Sequence, residues 1–225
     1  MDKVYWMVFL AASSRLARAT WRILLPLVVL AATAAGQVIE FDSNGLHYQA
    51  MTRSGVTVTF AKLPPHIAGF NCIQVTVTNG SLVSWTVKPN DFTFDRQDGA
   101  MIHASPADMV IDTLLSRATK SDVVKLQLLY EATIYALPPN YRSTAGYEHR
   151  REQAMTVMVN SRIKAAVAAS AITLVPTKLK PGGSTDGAVF FENHEKLLGR
   201  GRLVVNTAGE TYQFDVYPDV NLKSK

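Results

Sequence analysis

Residues Gly69 to Phe94 read GFNCIQVTVTNGSLVSWTVKPNDFTF, and their alternation constrains the fold more than any other stretch. Ile73, Val75 and Val77 take turns with Gln74, Thr76 and Thr78, the two-residue period of a half-buried strand with one apolar and one polar face. Asn79-Gly80 interrupts the run with the two residue types that adopt positive φ at least cost, which predicts a hairpin reversal. Val83, Trp85 and Val87 resume the alternation. The same period recurs upstream, where Gly45 to Ala50 reads as a short edge strand and Val56, Val58 and Phe60 mark a second. Pro64-Pro65 is expected to end that strand, because two backbone donors are missing there. Downstream, Phe92-Thr93-Phe94 places both aromatics on one face and Asp98-Gly99 signals another reversal.

At Ser105 the period changes from two to between three and four. Ser105-Pro106-Ala107-Asp108 predicts a helix start with Ser105 as the cap. Ala107, Val110, Ile111, Leu114, Leu115 and Ala118 then line one helical face. Thr119 or Ser121 caps a second helix through Ala136. Its apolar residues Val123, Val124, Leu126, Leu128, Leu129 and Ile134 reach around much of the circumference, which predicts burial on more than one side. Leu137-Pro138-Pro139-Asn140 stops it, and a third helix is expected from near Thr144 to about Ala171. The strand period returns in Ala188–Glu192, Leu203–Val205 and Thr211–Val216, with Ala208-Gly209 as a hairpin turn between the last two. Strands before and after a helical block imply one sheet system with an insertion. The fold class is therefore mainly β, a β-sandwich carrying a three-helix block over 105–171 between its strands.

The chain has 225 residues, 48% of them hydrophobic, with a formal charge of +5. Much of that charge precedes the domain: Lys3, Arg15, Arg18 and Arg22 stand against Asp2 in the first 36 residues, which leaves 19 basic and 17 acidic residues in the rest. No basic run interleaved with aromatics survives that division, which argues against a nucleic-acid partner. Arg15, Arg18 and Arg22, then Ile23 to Leu30, then Ala31 to Gly36 follow the positive, apolar and small-residue plan of a secretory signal peptide. The expected division is a signal peptide over 1–36 and a single domain over 37–225, periplasmic or secreted. A retained N-terminal anchor facing outside the cytoplasm is the alternative, and only through it would the chain meet a membrane. The single cysteine, Cys72, excludes an intrachain disulfide and reads as a small buried thiol.

Val75-x-Val77-x-Asn79-x-Ser81, Val87-x-Pro89-x-Asp91-Phe92, Asp98-Gly99, and Pro181-Gly182 leading to Gly187-x-Val189-x-Phe191 and Tyr212-x-Phe214 resemble the immunoglobulin-like sandwiches of exported bacterial proteins. The secreted mycobacterial immunoglobulin-like antigen family is an example. The resemblance covers Gly45 to Gly99 and Gly182 to Val216. It implies an exported sandwich and no catalytic residue, and the helical block departs from it.

No catalytic, cofactor-binding or metal-binding residue is assigned from the sequence. His47, His66, His103, His149 and His194 include no pair at metal-ligand spacing, and Glu192-Asn193-His194-Glu195 reads as a solvated turn. Glu148-His149-Arg150-Arg151-Glu152 reads as intrahelical ion pairs. Asn79-Gly80-Ser81 matches a glycosylation acceptor but is accounted for as a turn. Long insertions at the end of a rigid sheet commonly carry binding. The expected partner or ligand surface is therefore Val123, Leu126, Tyr130, Ile134, Met155, Met158, Val159 and Ile163, with packing between helices and sheet as the competing use. These features together lead to a non-catalytic interaction module of the cell envelope for a protein partner. The alternative is a carrier of a lipid or small apolar ligand held between the helices and the sheet, told apart by whether that space is an enclosed pocket.

Overall fold

Two-residue turns build the largest sheet. The computed structural model describes residues 36–135, 137, 143–155, 161–193 and 197–217; the side chains of Pro65, Met155 and residues 161–164 lie outside that description. Strands β1 (Val38–Ser43), β2 (Leu46–Arg53), β3 (Val56–Ile67) and β4 (Phe70–Asn79) form an antiparallel meander, joined at Asn44-Gly45, Ser54-Gly55 and Ala68-Gly69. Both residues of each turn have positive φ, for example 52° at Ala68 and 90° at Gly69. That geometry matches the right-handed twist of the strands it joins. Strand β9 (Ser184–Glu192) completes the five-stranded sheet beside β4.

A second sheet has the order β11-β10-β6-β7, from β6 (Phe92–Arg96), β7 (Met101–His103), β10 (Gly201–Thr207) and β11 (Glu210–Val216). Ala208-Gly209 is the hairpin turn of β10 and β11, and Asp98-Gly99 leads β6 into β7, both as the sequence predicts. The inward faces of the two sheets share one apolar cluster that includes Val58, Phe60, Val75, Val77, Phe92, Phe94, Phe191, Leu203 and Phe214. Phe60 and Phe214 meet edge to face at 5.0 Å, a favoured aromatic geometry. Phe92 and Phe94 both point into this layer, as their spacing requires.

Three expectations about strands need correction. Gly45 to Ala50 is not an edge, because β1 lies outside β2. Pro64-Pro65 does not end β3; the ladder shifts register between Lys62 and His66 and continues, so the missing donors fall in a bulge. Asn79-Gly80 does not make a hairpin. The Asn79 N–H donates to Gly183 O at 2.8 Å and its carbonyl accepts from Gly182 at 2.7 Å. With these groups committed to another loop, the chain leaves the sheet, and β5 (Trp85–Val87) pairs with β8 (Thr177–Leu179) in a separate ribbon.

The described helices are α1 (Ala107–Arg117), α2 (Lys120–Ile134), α3 (Tyr147–Met155) and α4 (Ser161–Ile172). Four helical segments thus stand where three helices are expected, and the stretch expected as one third helix is described as α3 and α4. They cover the face of the large sheet that looks away from the second sheet. Leu63, Ile67, Phe70, Cys72, Ala188 and Phe190 meet Val110, Leu114, Val123, Leu126, Ala168, Ala169 and Ile172 there. Helix α4 touches the other three helices and β9. Its buried Ala165, Ala168, Ala169 and Ala171 leave room for neighbours to approach closely. Consequently β4 and β9 are buried on both faces along nearly their whole length, Gln74 and Thr76 included. The half-buried strand expected from the alternation has its polar side under the helices.

Ser105 does not cap α1. Its own N–H donates to Phe190 O at 2.8 Å, and the cap position falls on Pro106 without a side-chain bond. Thr119 does cap α2, in a capping box with Asp122. The hydroxyl of Thr119 holds the Asp122 carboxyl below its ordinary range. Apart from Gly36, the leader expected over 1–36 lies outside the described residues. Among the described residues no helix is long and apolar enough to cross a membrane.

The entry of the chain from α4 into β8 rests on one glycine. The Leu174 N–H bonds to Ala188 O at 2.9 Å, and a Cβ on Gly187 would lie 2.6 Å from the Leu174 Cα. Gly187→Ala is expected to cost about 1–3 kcal/mol of unfolding free energy by overpacking, read as a lower urea midpoint. Thr211→Ala on an exposed position is expected to stay within about 0.5 kcal/mol.

Candidate functional site

The polar face of β4 and β9 continues into a joint that fixes the helices. Asp186 sits on that face, opposite Thr76 in the ladder and only 3% exposed. A buried carboxylate is tolerated only where donors replace its water. Tyr130 of α2 donates its hydroxyl to Asp186 Oδ2 at 2.5 Å. The backbone N–H of Tyr147, the first residue of α3, points at both carboxylate oxygens, 3.3 Å from Oδ1 and 3.2 Å from Oδ2. Asp186 therefore caps the N-terminus of α3 from another element, where the helix dipole favours negative charge. Gly146 makes that approach possible, since a Cβ there would collide with Asp186 Oδ1 and Ser143 Oγ.

Arg150 completes the dock from the next turn. Its Nε donates to Ala171 O at 2.9 Å and its NH2 to Asp186 O at 2.8 Å, so one guanidinium ties α3 to the end of α4 and to β9. Around it, Ser184 and Thr144 exchange bonds of 2.9 Å, and Thr185 Oγ1 donates to Ala145 O at 3.0 Å. The Tyr147 hydroxyl donates to Glu131 Oε1 and accepts from Gln127 Nε2. Burial, reinforced by the Glu131 carboxylate, pushes the Tyr147 phenol well above its ordinary pKa. Arg151 pairs with Glu131 at 3.6 Å.

These contacts settle how Glu148–Glu152 is used. Arg150 and Arg151 reach across to other elements, in place of the intrahelical ion pairs expected from the sequence, and His149 contacts Gln153 at 3.0 Å. The tyrosine, carboxylate and Arg150 groups of the joint bond to one another and to backbone groups, while Arg151 Nε is buried without a hydrogen-bond partner. Among the described residues no group of three His, Cys, Asp or Glu is placed to hold a metal ion. His194 and Glu195 lie outside the described residues. Asn79 is fully buried with its amide bonded, so the Asn79-Gly80-Ser81 motif serves as an internal turn.

The expected partner surface divides. Val123, Leu126 and Tyr130 are at most 1% exposed and face the sheet; they are packing residues, correcting their assignment to a surface, because they supply the apolar stripe on which α2 docks. Ile134 is half-buried against the same cluster. Met158 and Val159 lie outside the described residues, as do the side chains of Met155 and Ile163. The surface of α2 instead includes Val124, Leu128 and Leu129, which the sequence counted toward burial on more than one side. Val124 is 46% exposed, Leu128 60% and Leu129 39%, and Tyr135, the residue that ends the helix, is 59% exposed. They share the outward face with Ser121, Lys125 and Ala132, and Lys120 in the first turn is exposed as well. Both ends of the helix are tied down: Thr119 caps the first turn, and near the last the Ala132 and Thr133 carbonyls accept from Asn44 at 3.4 Å and Tyr48 at 3.0 Å.

Two open clefts meet at Asp215, Val216 and Tyr217, neither lined by a residue of this joint. One, of about 420 Å³, is lined by His47, Gln49, Phe60 and Lys62; the other, of about 470 Å³, by Arg96, Arg200 and Arg202. Their arginines have partners already: Arg96 with Asp98 at 2.7 Å, Arg202 with Asp215 at 3.4 Å, and Arg200 over the Tyr217 ring at 5.4 Å. Comparison of the chain with protein-family models, with curated proteins and with solved structures finds no match.

The dock has a measurable coupling. Tyr130→Phe leaves a buried carboxylate short of one donor and is expected to cost about 1–3 kcal/mol. Asp186→Ala is expected to cost at least as much, since it strands the Tyr130 hydroxyl and the Tyr147 N–H together. A double-mutant cycle in urea is expected to return an interaction of about 0.5–3 kcal/mol; additive effects would mean the two groups do not act as a pair.

Proposed function

We propose that this chain is a non-catalytic interaction module of the cell envelope, an exported β-sandwich that uses its helical layer to hold a partner protein. The observation that carries the reading is the division of α2: its inner face is spent on docking, while Val124, Leu128, Leu129 and Tyr135 face water on a helix fixed at both ends. Solvent-facing apolar side chains grouped on one rigid element mark interaction sites more often than scattered ones do. Their spacing, with Val124, Leu128, Ala132 and Tyr135 falling four, four and three residues apart, suits a helix laid in an apolar groove. The complementary partner is a protein groove with a carboxylate opposite Lys125.

The space between helices and sheet is occupied by the chain's own side chains, from Phe70 and Phe190 to Leu126 and Ile172. That packing favours an interaction module over a carrier. The sandwich is immunoglobulin-like in closing two sheets on one apolar layer with strands from both ends of the chain. It departs from the immunoglobulin order, which splits consecutive strands between sheets, because β1 to β4 are all neighbours.

A photo-crosslinking side chain at Leu128, in the full chain within its own host, is expected to give one discrete protein adduct that Val124→Asp abolishes. The same probe at exposed Thr211 on β11 is expected to give none. Absence of an adduct at Leu128, or an identical adduct from Thr211, would contradict the reading.

A further inference from the structure

The loop between β4 and β5, residues 80–84, holds two apolar side chains in water and fixes them there. Leu82 is 94% exposed and Val83 68%. The loop is built on Asn79, whose Nδ2 donates to Val83 O at 2.9 Å and to Leu179 O at 3.2 Å. Asn79 Oδ1 accepts from the Ser81 N–H at 3.0 Å and from the Ser81 hydroxyl at 2.6 Å. The Gly80 N–H donates to Gly55 O at 2.8 Å, and a Cβ on Gly80 would sit 2.6 Å from that oxygen. A buried amide making four bonds for one short loop is a scaffold for what the loop displays.

Behind the tip, the β5–β8 ribbon is basic. Thr86 pairs with Lys178; Lys180 lies two residues beyond Lys178, and Lys88, with extended backbone, two beyond Thr86. Alternate positions of paired strands share a face, so the three lysines stand with Ser84 and Thr86 on the outward side, and all are exposed. No ion pair among the described residues engages Lys88, Lys178 or Lys180. Half-buried Trp85 lies at the base of the tip.

We infer that this tip docks on an anionic lipid surface, with Leu82 and Val83 entering the boundary between headgroups and acyl chains and the three lysines on the phosphates. A protein interface of ordinary size calls on some 20–30 residues a side; the outward face of the ribbon offers only Ser, Thr and Lys, and the loop that precedes it two exposed apolar side chains. A bilayer asks less. Apolar residues a few ångströms deep together with lysines within a Debye length of anionic lipid bind in proportion to both. This surface is separate from α2 and does not rest on the partner reading.

The chain from Gln37 onward is a compact unit that contains all three core clusters. It carries Trp85 as its sole tryptophan, because Trp6 and Trp21 precede it, and it lacks the apolar N-terminal segment. Sedimentation with vesicles of equal parts phosphatidylcholine and phosphatidylglycerol is expected to carry this chain down and shift Trp85 emission to the blue, and phosphatidylcholine alone to bind it about tenfold less. Leu82→Ser with Val83→Ser is expected to lower partition about tenfold or more, and Lys178→Glu with Lys180→Glu to do the same. Neither pair is expected to move the urea midpoint, since all four side chains are exposed. Failure to bind the anionic vesicles, or equal binding by the variants, would overturn the inference. A dimer that Leu82→Ser dissolves would assign the tip to a second copy instead and overturn it equally.

Discussion

A sheet with one polar face cannot be covered by helices unless its polar groups find partners within the cover. Here the burden falls on Gln74, Thr76 and Asp186, side by side on β4 and β9 beneath the helical layer. Asp186 meets it by taking the Tyr130 hydroxyl and the first N–H of α3, so the same bonds that satisfy the carboxylate decide where two helices sit. Gln74 turns its amide to Thr76 Oγ1 at 3.0 Å and leaves its own Oε1 buried without a partner. Such an atom costs about 1–3 kcal/mol, an expense carried by the apolar cluster of Phe70, Cys72, Leu126, Ile172 and Phe190 around it.

From that joint the rest of the architecture follows. Once α3 is fixed by Asp186 and Arg150, α4 is held at its C-terminal end through Ala171, and its alanines bring α1 and α2 against the sheet. The Asn79 loop works in the same way at the opposite side of Ser184: a buried amide replaces backbone pairing, ends β4 and hands the chain to the β5–β8 ribbon. At Asn79 a buried amide stands where a hairpin would otherwise form, and at Asp186 a buried carboxylate fixes the start of a helix. Both also present apolar residues outward, the α2 face in one case and Leu82-Val83 in the other.

Much of the strand content was legible, because alternation and x-Gly turns are local. Val56 to Phe60, Phe92 to Phe94 and the Ala208-Gly209 hairpin all form where the period places them, and the Thr119 cap does too. What local signals could not convey is which partner a residue finds. Asn44-Gly45 and Asn79-Gly80 are the same dipeptide, yet one makes a hairpin and the other bonds to Gly182 and Gly183, more than a hundred residues away. Likewise Gln74 and Thr76 look solvent-facing until a helical layer is known to lie over them. Helix α2 misleads for a related reason. With apolar residues nearly all round, its sequence does not say which side is buried, and the sheet selects Val123, Leu126 and Tyr130 while leaving Val124, Leu128 and Leu129 outside.

The central claim, that the polar face of the large sheet is sealed by helices held through Asp186, is tested most directly by the chemical accessibility of Cys72. It is the sole cysteine of the chain, 1% exposed on the helical face of β4, with burial pushing its thiol well above the ordinary pKa. A thiol-labelling time course on the native chain from Gln37 onward, in which Trp85 is the sole tryptophan, is expected to show protection lost only on opening of the helical layer. Asp186→Ala is expected to accelerate it about tenfold or more at unchanged Trp85 emission. Prompt labelling of the native wild-type chain, or an Asp186→Ala rate equal to wild type, would contradict the account.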